Sequence, residues 1–345
     1  MYRTAAPLFF VCESPLHAGS GKDLGIVDLP IQREGHTDFP KIEASSVKGA
    51  LRESFYRKAA NNPIAKANIE LAFGPELGDL HAAALGFTDA RLLLFPVKSV
   101  RGVFAWVTCP MVLRQLRSDF EKLEQPIAVT QLDQLPAIKD GKALLLNSQS
   151  SLPLGNSQKI ILEEYAFDYT VPTVVPTVGQ QPLGTFLADT LYPQDKWWRE
   201  KLTNDLVILS DNDFKSFTQL STEVVTRIKI NPETGTVDNG ALFTEEFLPS
   251  DSVLYSLSLF AKLFSDKKLQ DESAVAQPAV DKTEDAITDQ SAPTQAAGAS
   301  SAAAVQAYFA QGLDPTIQLG GDATLGKGIL RTRLLTSIPS ANPAN

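Results

Sequence analysis

The chain has 345 residues, 43% hydrophobic and 21% charged, with a net charge of −9, which provides for a substantial core and argues against coating nucleic acid through bulk positive charge. Two cysteines, Cys12 and Cys109, exclude a disulfide framework, and three histidines, His17, His36 and His81, leave little scope for a multi-histidine metal centre. No stretch reaches the roughly 20 apolar residues of a membrane span, and the first apolar run is too short for a signal peptide, so the expected setting is cytoplasmic, with no membrane partner.

In chain order, residues 8–13 read as a buried strand and the polar, glycine-bearing residues 17–40 as a long loop. A helix follows from Ser45, with the Ser45-Ser46 pair as its expected cap and Val47, Ala50, Leu51 and Phe55 as its apolar stripe. Strands are expected at 84–88, 91–97 and 103–108, a helix at 111–123, strands near 159–169 and 206–209, and a helix at 212–220. Residues 223–230 and 236–243 read as two strands around the turn Pro232-Glu233-Thr234-Gly235. Residues 253–260 form another strand or a short helix. A helix near 303–311 then leads through 316–319 into a glycine-rich turn. Strands and helices mix without a βαβ rhythm, which favours an α+β antiparallel arrangement in one domain, residues 1–345.

The acidity is uneven. Residues 271–305 carry six acids, Asp271, Glu272, Asp281, Glu284, Asp285 and Asp289, against Lys282, and no aromatic residue. Such a composition cannot bury enough surface to offset its ordering entropy, so this stretch reads as a disordered insertion. The basic groups of interest lie elsewhere. Lys48 and Arg52 follow the Ser45-Ser46 helix start, where backbone N–H groups and the helix dipole favour an anion. Gly320, Gly321, Gly326 and Gly328 flank Lys327, in a segment that nearly spells a phosphate-binding loop except that Gly328 stands where a metal-binding hydroxyl belongs. Flexible backbone beside Lys327, Arg331 and Arg333 remains able to clasp phosphates. A plain turn and a solvated basic helix face are the competing readings. Asp28, in a loop between apolar residues, can bind a hard cation or assist proton transfer, or simply cap a turn. His17 beside glycine is structural or catalytic.

Three segments, Leu16-His17-Ala18-Gly19-Ser20-Gly21, residues 25–34 around Asp28, and residues 39–49 ending in Ser45-Ser46-Val47-Lys48-Gly49, resemble the N-terminal signature of the backbone subunit of type III-B CRISPR RNA-guided effector complexes, a member of the RAMP superfamily. Residues 87–97 and 320–328 resemble the same family.

That resemblance implies an RRM-like, ferredoxin-like α+β core with an antiparallel sheet, a protruding thumb hairpin and insertions. It implies copies stacked along a guide crRNA and metal-dependent endonucleolytic cutting of the complementary target RNA, with Mg2+ or Mn2+ as the divalent cation. Further partners implied are the large polymerase-like, small helical and capping RAMP subunits of the complex. The family's active-site aspartate maps onto Asp28, which is also the metal-ligand candidate, its histidine onto His17, and a later acidic position onto Glu245 or Glu246. Phe247 stands where some relatives carry tyrosine. Lys48, Arg52, Ser45, Ser46, Gly320, Gly321, Gly326, Lys327 and Gly328 would contact guide phosphates, which position RNA without reading its sequence. Two alternatives stay open: a non-catalytic RNA-binding filament subunit, and a guide-maturing endonuclease that uses His17 as a base.

Overall fold

The structure, a computed structural model, describes residues 4–21, 25, 27–76, 81–230, 233, 235–272 and 300–337. The expected insertion at 271–305 therefore lies mostly outside the described residues, as do Pro232 and Thr234 of the expected turn.

The strands that matter here are β1 (Thr4–Cys12), β2 (Ala90–Lys98), β3 (Phe104–Thr108), β4 (Lys142–Leu145), β5 (Lys159–Leu162), β6 (Tyr165–Thr170), β7 (Leu206–Leu209), β8 (Glu223–Ile230), β9 (Val237–Phe247), β10 (Val253–Phe260), β11 (Thr316–Gln318) and β12 (Ile329–Leu334). All but β8 and β9 join one sheet in the order β11-β12-β1-β10-β2-β3-β7-β4-β6-β5. At its centre, β12, β1, β10 and β2 are neighbours and antiparallel. In chain order these are the fourth, first, third and second strands of a βαββαβ unit, the ferredoxin-like arrangement. Its two helices are α1 (Ala44–Ala59), between the first and second strands, and α7 (Ala302–Gly312), between the third and fourth. They meet through Phe55 stacked on Phe309 at 5.9 Å.

Two helix segments that sequence periodicity did not separate from loop fill out the layers, α2 (Pro63–Phe73) and the pair α4 (Leu183–Leu191) and α5 (Lys196–Asn204). The expected helices near 111–123 and 212–220 are α3 (Pro110–Glu121) and α6 (Asp211–Leu220). Residues 253–260 are strand, not helix, because β10 lies between β1 and β2 and is hydrogen-bonded along both edges. The sheet is not wholly antiparallel: β7 runs parallel to β3, and β4 to β6.

The hairpin β8–β9 forms a separate two-stranded sheet, inserted in the chain between the second and third core strands. One of its faces exposes Val224, Ile228 and Leu242, whose positions pair across the strands or alternate along them. Strand β9 extends to Phe247, beyond the expected end at residue 243, so Glu245 and Glu246 are strand residues pointing to opposite faces.

The serine cap of α1 is a correction. The helix begins at Ala44 after Glu43, with no cap from its own side chains. Instead the Asp89 carboxylate accepts the Ala44 N–H at 2.9 Å and is paired with Lys41. Ser45 and Ser46 sit within the first turn.

Candidate active site and RNA groove

The loop after β1 does not wander over the surface; it is stitched to the foot of the hairpin. Leu16 bridges Leu248, and Leu29 lies along the free edge of β9, where Leu29 N–H bonds Thr244 O at 3.0 Å and Glu246 N–H bonds Leu29 O at 3.0 Å. This edge pairing delivers Asp28 to Thr244. Asp28 N–H donates to Thr244 Oγ1 (3.0 Å), and the carboxylate Oδ2 accepts from Thr244 N–H (2.7 Å) and Thr244 Oγ1 (2.9 Å). Those bonds from the backbone and hydroxyl of Thr244 favour the charged form and hold the Asp28 carboxyl below its ordinary range, although the residue is exposed. The result is an ionised, oriented carboxylate facing solvent.

The two glutamates divide by strand alternation. On the Thr244 face, buried Glu246 accepts from Arg33 (2.5 Å), Thr222 Oγ1 (2.8 Å) and Ile31 N–H (3.0 Å). With those bonds made, Glu246 ties loop to hairpin. Glu245 projects from the other face, where Arg227 Nε donates to it at 3.1 Å and reaches Asp322 with its other end. Burial, followed by the neighbouring Asp322, pushes the Glu245 carboxyl up, while His17 and Arg227 pull it down.

His17 is buried in the same cluster. Its Nδ1 lies 2.7 Å from the Glu246 carbonyl, which can only accept, so Nδ1 carries a proton and Nε2 is turned toward Glu245 Oε1 at 3.6 Å. Its main-chain carbonyl accepts the Gly321 N–H at 2.9 Å. His17 is thus a joint between three elements. Phe247, fully buried, packs on His17 with ring centres 5.6 Å apart, under Lys327 at 5.0 Å and Arg227 at 5.7 Å. A phenylalanine there supplies no hydroxyl, and its ring instead seats two cations.

The helix and the glycine-rich turn do meet. A groove of about 440 Å³ is lined by His17 to Gly19, Gln32, the Ser46, Gly49, Ala50 and Glu53 face of α1, and residues 318–321. Gly320 makes this approach possible: its φ is +86°, and a Cβ there would collide with the His17 carbonyl oxygen. Of the expected phosphate contacts, Ser46, Gly320 and Gly321 line the groove, whereas Ser45, Gly326, Lys327 and Gly328 do not. Lys48 and Arg52, two residues on from Ser46 and Ala50, lie on another flank of the helix. There Arg52 lies 5.4 Å from the Tyr56 ring centre. Lys48 is half-buried, and burial with the adjacent Arg52 charge pushes its ammonium down. Arg331 is a second correction, since it pairs with Glu13 and leans on Tyr192 away from the turn. Thr244, Arg227, Asp322 and Arg33 were absent from the sequence-level site, although Arg33 and Asp322 lay inside segments already singled out, 25–34 and 320–328.

An antiparallel ferredoxin-like sheet, a detached hairpin and a glycine-rich turn closing on the first helix together define a RAMP-type architecture. The RAMP superfamily profile matches residues 9–331. The CRISPR system Cmr endoribonuclease Cmr4 of Pyrococcus furiosus is 36% identical over 263 residues, 74% of this chain and 81% of the relative. The CRISPR system CMR subunit Cmr4 of Saccharolobus solfataricus is 30% identical over 267 residues, 74% and 84% of the two chains. Similar folds include oligomeric Cmr4 from Pyrococcus furiosus (TM-score 0.61, 24% identity, 96% and 97% coverage) and a chain of the type III-B Cmr-beta complex bound to cognate target RNA (TM-score 0.65, 21% identity, 96% and 98% coverage). The chain belongs to the RAMP superfamily and, within it, to the Cmr4 family.

Proposed function

We propose that this chain is a backbone subunit of a type III-B CRISPR effector complex, present in copies along a guide crRNA in the cytoplasm, and that it cuts complementary target RNA endonucleolytically. The observation that carries the reading is Asp28, ionised and exposed at the foot of the hairpin in a chain 36% identical to a Cmr endoribonuclease. Guide RNA is assigned to the groove between α1 and the glycine-rich turn, with Lys48 and Arg52 on its flank. Target RNA is assigned to the apolar hairpin face beside Asp28. Base pairing supplies the sequence specificity. The large, small and capping subunits are the further partners of this reading.

The reaction class is transesterification. The 2′-oxygen of the target bonds to the adjacent phosphorus as the bond to the 5′-oxygen breaks, giving a 2′,3′-cyclic phosphate and a 5′-hydroxyl; the 2′-hydroxyl proton passes to water and the leaving 5′-oxygen takes a proton from water. A stacked A-form strand does not hold these atoms in line, so a hairpin that splays one nucleotide supplies the geometry. Asp28 is a poor general base, since its carboxyl is held below the ordinary range. It is better suited as a hard oxygen donor. One carboxylate together with substrate phosphates is enough to hold Mg2+ or Mn2+. When bound, such a cation stabilises charge developing on the phosphate.

The test is the assembled complex incubated with complementary RNA, with Mg2+ or with EDTA, using wild type and Asp28→Asn. Regular cuts that require Mg2+ and vanish in D28N, with target binding kept, are expected. Cutting by D28N overturns the assignment of Asp28, and cutting in EDTA removes the cation. Wild type that binds target without cutting leaves a structural filament subunit.

A further inference from the structure

We propose that Thr244 is the positioning residue of the cleavage site: carried on the hairpin, its hydroxyl and amide orient the Asp28 carboxylate, so that competence to cut depends on the hairpin. The inference rests on the assignment of Asp28 above and adds to it a residue on the opposite side of the sequence.

Asp28 belongs to a loop and is exposed, and the bonds that reach its carboxylate from another described residue come from Thr244. Thr244 makes them from a regular strand. The hydroxyl acts in both directions, accepting the Asp28 N–H at 3.0 Å and donating to Asp28 Oδ2 at 2.9 Å, while the Thr244 amide donates to the same oxygen at 2.7 Å. The Thr244 carbonyl accepts the next amide, that of Leu29, at 3.0 Å. Backbone and carboxylate of the aspartate are therefore both referenced to one strand residue. Thr244 pairs with Thr226 across the hairpin, and on the same face the neighbouring pair Ile228 and Leu242 is 52% and 64% exposed. The carboxylate thus sits where the apolar face that would meet the splayed strand begins. Glu245 and Arg227 adjoin Thr244 in register but belong to the opposite face.

A valine at this position preserves the branched shape and the strand propensity but removes both hydroxyl bonds, whereas serine keeps them. In the full chain assembled with guide RNA, Thr244→Val is expected to slow target cutting by about ten- to a hundredfold, the usual cost of losing an outer partner of a ligating group. The Mg2+ concentration giving half-maximal cutting should rise, target affinity in EDTA should hold, and amide hydrogen exchange of residues 27–30 should speed up. T244S should restore the cutting rate, the Mg2+ midpoint and the exchange of residues 27–30. If T244V fails to assemble, the comparison of T244S with T244A carries the test, and serine must cut at least about tenfold faster. Equal cutting and an equal Mg2+ midpoint in T244V, beside a dead D28N, overturn the role of Thr244. Cutting by D28N instead removes the Asp28 assignment and leaves the clamp as a structural feature.

Discussion

Removing Glu246 should be far more costly to the fold than removing Glu245, although the two are neighbours in sequence. The Glu246 carboxylate is 6% exposed and neutralises Arg33, itself 20% exposed, while also accepting from Ile31 N–H and Thr222 Oγ1. Truncation leaves a mostly buried guanidinium without its counter-charge, a loss of about 3–5 kcal/mol. The two abandoned donors add to this only as far as water fails to reach them. Glu246→Ala is therefore expected to lower the unfolding free energy of the purified chain at pH 7 by about 3–5 kcal/mol in urea titrations, with E246Q intermediate. For Glu245 the sign is reversed. Its folded-state carboxyl is raised above the ordinary value of 4.5 by burial and by Asp322, so ionisation costs stability as pH climbs through and beyond 4.5. Glu245→Gln should match or exceed the parent at pH 7, and the gap should close as pH falls toward 4.5. An E246A chain within about 1 kcal/mol of wild type, or an E245Q chain weaker than E246A, would refute the division of labour between the two faces of β9.

Two further outcomes follow from the groove and its flank. Lys48→Ala and Arg52→Ala should weaken guide RNA binding equally for all sequences and flatten the dependence of log affinity on log salt by about 0.7 per lost phosphate contact, read by filter binding across a salt series. K48A should not destabilise the chain, because burial already disfavours the Lys48 charge. Gly320→Ala should lower the urea midpoint, since a left-handed backbone costs an alanine about 1–2 kcal/mol and its Cβ meets the His17 carbonyl; guide retention should fall with it.

Sequence was informative where the physics is local. The apolar runs of β1, β2 and β10 are visible because each is buried on both faces, and Asp28 is visible because apolar residues flank it within a polar loop. What sequence could not supply were partners far along the chain. The central strand order depends on pairings such as Ala6 with Ser258, which no period reveals. The cap of α1 comes from Asp89, so Ser45 and Ser46 carried the right composition for a role that the residue just before β2 fills. Thr244 is an ordinary strand threonine until the loop is laid against β9. Lys48 and Arg52 were grouped with the glycine-rich turn by charge alone, yet helical rotation places Ser46, Gly49, Ala50 and Glu53 in the groove instead.

The same geometry bears on how an acidic chain would serve the RNA-binding role proposed for it. Its cations are largely committed internally: Arg33 to Glu246, Arg227 to Glu245 and Asp322, Arg91 to Glu34 and Asp119, Lys201 to Asp205, Arg331 to Glu13. Those pairs hold loops and hairpin in place and offer little charge to a passing polyanion. What faces the groove is a flank of α1 and the glycine-rich turn, which on the proposed function would meet phosphates by shape and backbone N–H groups. Each contact of that kind is weak alone, and with a net charge of −9 the single chain gains no long-range attraction to RNA. Affinity must then come from many copies acting on one guide, where each bound subunit raises the effective concentration of the next contact. On that reading the net negative charge favours assembled binding over scattered binding.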